Sequence, residues 1–158
     1  MKALDWPPVW TMAAVALAWG LGRLWPWDFL SPVGPALGML LALAGVALMA
    51  VAGAQMALAR TTVIPRQMPS VLVTGGVFAW SRNPIYLGDL MVVAGACLGF
   101  NAPWALPLLA GFVWIIETRF ILDEEARLRA RFGAGFDTWA AGTARWMTGV
   151  PFGNGLRR

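Results

Sequence analysis

Residues 82–133 read RNPIYLGDLMVVAGACLGFNAPWALPLLAGFVWIIETRFILDEEARLRARFG, and the division of apolar and charged residues along this stretch decides the fold. Apolar residues run from about Ile85 to Phe100, Asn101, Ala102 and Pro103 turn the chain, and a second apolar run continues from about Trp104 to Leu122. Each run holds roughly 16 to 19 residues, near the lower limit of about 17 for crossing a 30 Å hydrocarbon core. The pattern then changes to DEEARLRARFG, where Leu128 and Phe132 fall four apart on one face and Arg127, Arg129 and Arg131 are directed largely away from it. A helical hairpin followed by surface helices is expected.

Upstream, the pattern repeats. Pro35 to Ala59 is apolar, with Gly38, Gly45 and Gly53 available for close helix contact. Pro7 to Leu24 is a further apolar run, preceded by Lys2 and Asp5, too weakly charged a start for a signal peptide. The link WPWDFLSPVGP between them suits an interfacial turn. From Arg60 to Arg82, two prolines, paired glycines and no sustained period predict a structured loop, the kind of segment that carries chemistry.

Composition agrees with these runs. With its 18 glycines added to a 59% hydrophobic content, the chain is roughly 70% apolar, against about 45–50% in soluble domains. The expected fold is therefore an all-alpha integral membrane protein of about four transmembrane helices with cytoplasmic C-terminal surface helices. Placing both termini, the Arg60–Arg82 loop and the tail in the cytoplasm puts 11 of 12 basic residues inside and leaves only Arg23 outside, as the positive-inside rule requires. This predicts a bacterial inner-membrane location.

The net charge of +4 suits an anionic lipid face more than nucleic acid, since no basic helix interleaved with aromatics accompanies it. One cysteine excludes an internal disulfide framework, and the absence of histidine removes the commonest metal ligand and neutral-pH base. No metal site is expected. Cys97 reads as a small buried hydrophobe, and Trp80, Trp104, Trp114, Trp139 and Trp146 read as anchors or packing. Walker, CxxC, HExxH and post-strand GxGxxG patterns are all missing.

Three polar clusters converge if the third and fourth helices are antiparallel: Ser81, Arg82, Asn83 and Tyr86; Glu117 and Arg119; and Asp123, Glu124 and Glu125. Asp89 and Glu117 need partners or a wet cavity if they lie below the interface. Arg82 is read either as an anion-binding residue beside a helix start or as a surface arginine. The acidic pair is read either as a cation site or as an acidic helix N-terminus.

Arg82, Asn83, Pro84, Tyr86, Leu87 and Gly88, followed by Glu124, Glu125, Leu128, Phe132 and Gly133, resemble the isoprenylcysteine carboxyl methyltransferase and phospholipid methyltransferase superfamily. The likeness covers roughly residues 61 to 152, through TTVIP, RNPIYLG, EEARL and RFG. It implies residues 1–60 as an N-terminal hairpin and 61–158 as a catalytic region enclosing S-adenosyl-L-methionine. By that resemblance, Gly76, Phe78, Arg82, Asn83, Tyr86, Gly88, Glu124 and Glu125 are the cofactor-binding candidates. Val77 replaces the proline of a Gly-Pro-Tyr motif, and Phe136 and Trp139 replace two common tyrosines. Asn83 stands where eukaryotic prenylcysteine enzymes usually have histidine. Arg145–Trp146 and Gly149–Phe152 resemble the family's ending.

A methyl sulfonium is already an activated donor, so a carboxylate acceptor needs placement and dryness more than a base. The main expectation is carboxyl O-methylation of a lipophilic, lipid or prenylated acceptor entering from the bilayer, with Arg119, Arg82 or Arg145 gripping its carboxylate and Arg119 ranked first. The alternative is a phospholipid or amine N-methyltransferase, in which Glu117 or Asp89 serves the amine. A sterol-type reductase and a noncatalytic scaffold are weaker readings: the first lacks its expected extra spans, and the second leaves clustered Arg82, Tyr86 and Glu124 unexplained.

Overall fold

The computed structural model describes residues 6–62, 64 and 67–147. Six α-helices follow in order: α1 Pro7–Leu24, α2 Val33–Leu58, α3 Pro84–Gly99, α4 Leu108–Ile116, α5 Leu122–Phe132 and α6 Ala134–Gly142. Short 3₁₀ turns lie at Asp28–Leu30, Gly76–Ala79 and Pro103–Ala105, and a π-helical turn, Glu117–Ile121, separates α4 from α5. Pro7 and Pro8 open α1, where proline loses no helical hydrogen bond. α5 carries its three acidic residues in its first turn and Arg129 and Arg131 in its last, matching the helix dipole at both ends.

The helices lie close to where the apolar runs predict them, but they do not provide four membrane crossings. Among the described residues, only Val33–Leu58 is long and apolar enough to cross a membrane. In α1, two prolines and Arg23 dilute the apolar character of an 18-residue helix. The 16 residues of α3 rise only about 24 Å at about 1.5 Å each. The fourth run is regular α-helix for only 9 residues before the π turn carrying Glu117 and Arg119. The four-span fold is therefore corrected to a mostly helical chain with one candidate span. The inner-membrane placement with both termini inside rested on those crossings and loses its basis with them. Lys2, Arg66, Arg157 and Arg158, which entered that charge count, lie outside the described residues.

The chain divides into two compact units, Met1–Ala47 with Gly88–Glu117, and Leu48–Leu87 with Thr118–Arg158. In the first, α1 packs on α4 around a core of Ala18, Cys97, Ala102 and Ala105. Cys97 is fully buried there, as its apolar surroundings predict. The link regions are tied together: Trp27 N–H donates to the Asn101 carbonyl at 2.7 Å, and Asn101 Nδ2 to Asp28 Oδ1 at 2.8 Å.

The α2–α3 crossing in this unit depends on glycine. A Cβ on Gly45 would stand 2.5 Å from the Gly88 carbonyl oxygen, and one on Gly38 would strike the backbone of Gly95 and Gly99. Gly53, by contrast, has open space where its Cβ would be. Two of the three glycines predicted for helix contact thus make it.

Asp89 on α3 is buried, and that burial raises its carboxyl from the ordinary 3.8 to about 6, opposed by a hydrogen bond with the Thr11 side chain.

Two outcomes follow for stability. Gly45→Ala should lower unfolding stability by roughly 1–3 kcal/mol through overpacking, whereas Gly53→Ala should raise it by about 0.5–1 kcal/mol; thermal unfolding of both variants checks the contrast. A carboxyl raised in the folded state binds its proton more tightly there, so its contribution is largest below about pH 4 and declines as pH rises to about 6. Asp89→Asn should abolish that decline, gaining at most about 3 kcal/mol at neutral pH at about 1.4 kcal/mol per pH unit, as read by unfolding curves across pH 3.5–8.

Candidate active site

In the second unit, the segment from Gly75 to Asn83 supplies most of the expected residues. Gly76 has φ +59°, a left-handed conformation that costs glycine little. It starts the 3₁₀ turn Gly76–Ala79, in which Phe78 N–H donates to the Gly75 carbonyl at 3.1 Å and Phe78 itself is buried. The Phe78 carbonyl accepts from Trp139 Nε1 at 3.1 Å. Trp139 in turn meets Phe136 edge to face, with ring centroids 5.9 Å apart. The aromatic pair that replaces two expected tyrosines therefore braces this turn.

Ser81, Arg82 and Asn83 are held against Ala144 and Arg145. Arg82 N–H donates to the Ala144 carbonyl at 3.0 Å, and Asn83 Nδ2 and Ser81 Oγ donate to the Arg145 carbonyl at 3.1 and 3.4 Å. Ser81 Oγ also accepts from Asn83 N–H at 3.1 Å. Proline at 84 then begins α3, which carries Tyr86 one half-turn on.

Glu125 is the centre of the charge network. It is buried in α5, and Arg145 grips it with two bonds, Nε to Oε1 at 3.0 Å and Nη2 to Oε2 at 2.8 Å. Arg82 Nη2 approaches Oε1 at 3.2 Å. A carboxylate this deep needs such partners, because its desolvation is otherwise uncompensated. Burial lowers the Arg82 guanidinium from its ordinary value; Glu125 opposes the shift, and Arg145 and Arg129 add to it. Arg82 Nε is buried without a hydrogen-bond partner, an unusual condition for so strong a donor.

Glu124, the neighbouring carboxylate, is half-buried and accepts the Tyr86 hydroxyl at 2.8 Å. The Tyr86 ring also packs near Phe120, with centroids 6.4 Å apart. Thus Phe78, Arg82, Asn83, Tyr86, Glu124, Glu125 and Arg145 all belong to one bonded cluster with its bracing turn. The candidate acidic pair is divided by burial: Glu125 is committed to two arginines, and Glu124 to a tyrosine.

The remaining candidates differ in exposure and in the unit that holds them. Arg119, ranked first for gripping a carboxylate, is exposed on the π turn. Glu117 and Gly88 belong to the first unit, where the Gly88 carbonyl packs against Gly45. The Gly149–Phe152 segment, with Val63 and Pro65 of TTVIP, lies outside the described residues.

One participant is absent from the sequence reading. Gln55 of α2 places its carboxamide against Gly76, and its Oε1 accepts from Val77 N–H at 3.3 Å. It is the one polar side chain in the 26 residues of α2, a signal that marked it in the sequence. Val77, standing where the resemblance expects proline, has a donor that proline lacks, and Gln55 takes it up.

A family model described as phospholipid methyltransferase matches residues 33–135. The chain belongs to the phospholipid methyltransferase family. The matched range holds α2, the Gly76 turn and both glutamates, and stops short of Arg145. Membership in this family makes the chain an S-adenosylmethionine-dependent methyltransferase, and its substrate is lipid-type in general terms. No curated protein and no solved structure matches the chain.

Removing the central carboxylate should be costly. Glu125→Ala leaves two largely buried arginines without their shared counter-charge and is expected to lower stability by roughly 3–5 kcal/mol, whereas Asp123→Ala, at an exposed ion pair with Arg127, should change it by under about 1 kcal/mol. Denaturant unfolding of the two variants measures the difference.

Proposed function

We propose that this phospholipid methyltransferase family member transfers the methyl group of S-adenosylmethionine to an amine carried by a lipid. The observation that carries this reading is the commitment of Arg82 and Arg145 to Glu125. A carboxyl acceptor calls for an arginine able to offer it a two-pronged grip, but Arg145 spends two of its nitrogens on Glu125. The family description, phospholipid methyltransferase, favours the same acceptor class.

The cofactor's chemistry fits the cluster on two counts. Arg82 Nε, a buried donor without a partner, suits a carboxylate such as that of the cofactor's amino-acid end. Glu124, half-buried beside Tyr86, suits its ammonium or a ribose hydroxyl. When bound, S-adenosylmethionine supplies a methyl group on a positively charged sulfur. In this reading Arg82, Asn83, Tyr86 and Glu124 hold it, Gly76 and Phe78 shape the turn beside it, and Glu125 keeps Arg82 in place without touching it.

The residues' part in transfer is orientation and exclusion of water. An amine attacks through its lone pair, so it must arrive neutral, and the rate depends on the fraction deprotonated. Tyr86, Phe120 and Phe136 are buried in this region, and apolar surroundings favour a neutral amine over an ammonium.

Labelled-methyl transfer in mixed micelles tests the reading. A phospholipid with a primary-amine headgroup should be methylated at least about tenfold faster than a prenylated carboxylate, and its rate should climb about tenfold per pH unit below the amine's own pKa. Glu124→Gln should raise the KM for S-adenosylmethionine about tenfold, the expected size of a lost charge-assisted bond. Preferential methylation of the carboxylate would overturn the amine assignment.

A further inference from the structure

Val77 is the pivot of the turn that leads into the cluster. Its carbonyl accepts both Trp80 N–H and Ser81 N–H at 3.2 Å, so the backbone entering Arg82 hangs from it. Its own N–H points the other way, to Gln55 Oε1 at 3.3 Å. On the adjacent residue, Gly76 at φ +59° leaves vacant the place a side chain would take, and the Gln55 carboxamide fills it; a Cβ there would collide with its Nε2.

A carboxamide in an otherwise apolar helix carries a desolvation cost unless it is bonded. A single 3₁₀ turn equally leaves its leading N–H groups in need of acceptors. Each group answers the other's requirement. We infer that Gln55 is a positioning residue of the methyl-transfer site, which through Val77 sets the backbone that presents Ser81 and Arg82. It acts without touching cofactor or acceptor. This inference rests on the proposed reading that the Gly76–Tyr86 segment holds S-adenosylmethionine.

Proline at position 77 gives an independent way to impose the same restraint. Its ring holds φ near −65°, within the 3₁₀ range, and it has no N–H to satisfy. Beside an intact Gln55 the ring occupies the place of the hydrogen bond, so the substitution belongs in a Gln55 variant.

The test compares the full-length wild type, Gln55→Leu and the double variant Gln55→Leu/Val77→Pro. S-adenosylmethionine binding is read by calorimetry, kinetics with an amine-headgroup phospholipid in micelles, and Val77 amide exchange in the first two. Gln55→Leu should raise the cofactor KM and dissociation constant about tenfold, the size of one lost hydrogen bond in a turn, with kcat changed less than about twofold and Val77 exchange accelerated. The double variant should recover cofactor affinity to within about threefold of wild type. Helical content by circular dichroism confirms that each variant is folded. Wild-type binding with unchanged affinity in Gln55→Leu overturns the inference and leaves the cofactor reading intact, as does a folded double variant that recovers nothing. Failure of the wild type to bind S-adenosylmethionine overturns both.

Discussion

The buried carboxylate of Glu125 is the interaction on which the candidate site depends. Two arginines from the two segments of the second unit, Arg82 and Arg145, converge on it. The same two places are joined again through their backbones, by the bonds from Arg82 N–H and Asn83 Nδ2 to Ala144 and Arg145. Without the backbone bonds, two flexible guanidinium chains must be ordered at an entropic cost; without Glu125, two like charges share a largely buried space. The combination makes a positive frame in which two guanidinium groups share one carboxylate, leaving one buried donor on Arg82.

This internal use of charge bears on the chemistry. An arginine-rich cluster suggests anion binding when viewed as a composition, and that view favours a carboxylate acceptor. The geometry assigns the bidentate grip of Arg145 to the protein's own glutamate. The neighbouring carboxylate, Glu124, is half-buried and accepts the Tyr86 hydroxyl instead. The amine reading draws on this difference between having an arginine and having its bonding directions available.

The helices were legible in the sequence because apolar length and proline or glycine punctuation are local properties. α1 follows the Pro7–Leu24 run, α2 begins and ends within two residues of its predicted limits, and α3 is displaced by one. Membrane crossing was less legible. A run such as Trp104–Leu122 counts as one apolar stretch, but Glu117 and Arg119 lie in a π turn that ends α4 after nine residues. Bulk apolarity says how much nonpolar surface exists, not how it is divided among helices of sufficient length.

By itself, the sequence determined where α1, α2 and α3 lie, that the glycines of α2 leave room for close helix contact, and that the RNPIYLG and EEARL segments carry a family likeness, which a match over residues 33–135 supports. These depend on local periodicity, residue volume and short motifs. Only the tertiary structure decided that Glu125 pairs with both Arg82 and Arg145 while Glu124 pairs with Tyr86, for adjacent helical residues point about 100° apart and only their neighbours reveal which faces inward. The same holds for Gln55, whose lone polarity in α2 marked it as unusual. Its acceptor role at Val77 follows from a contact spanning 22 residues, which no local pattern specifies.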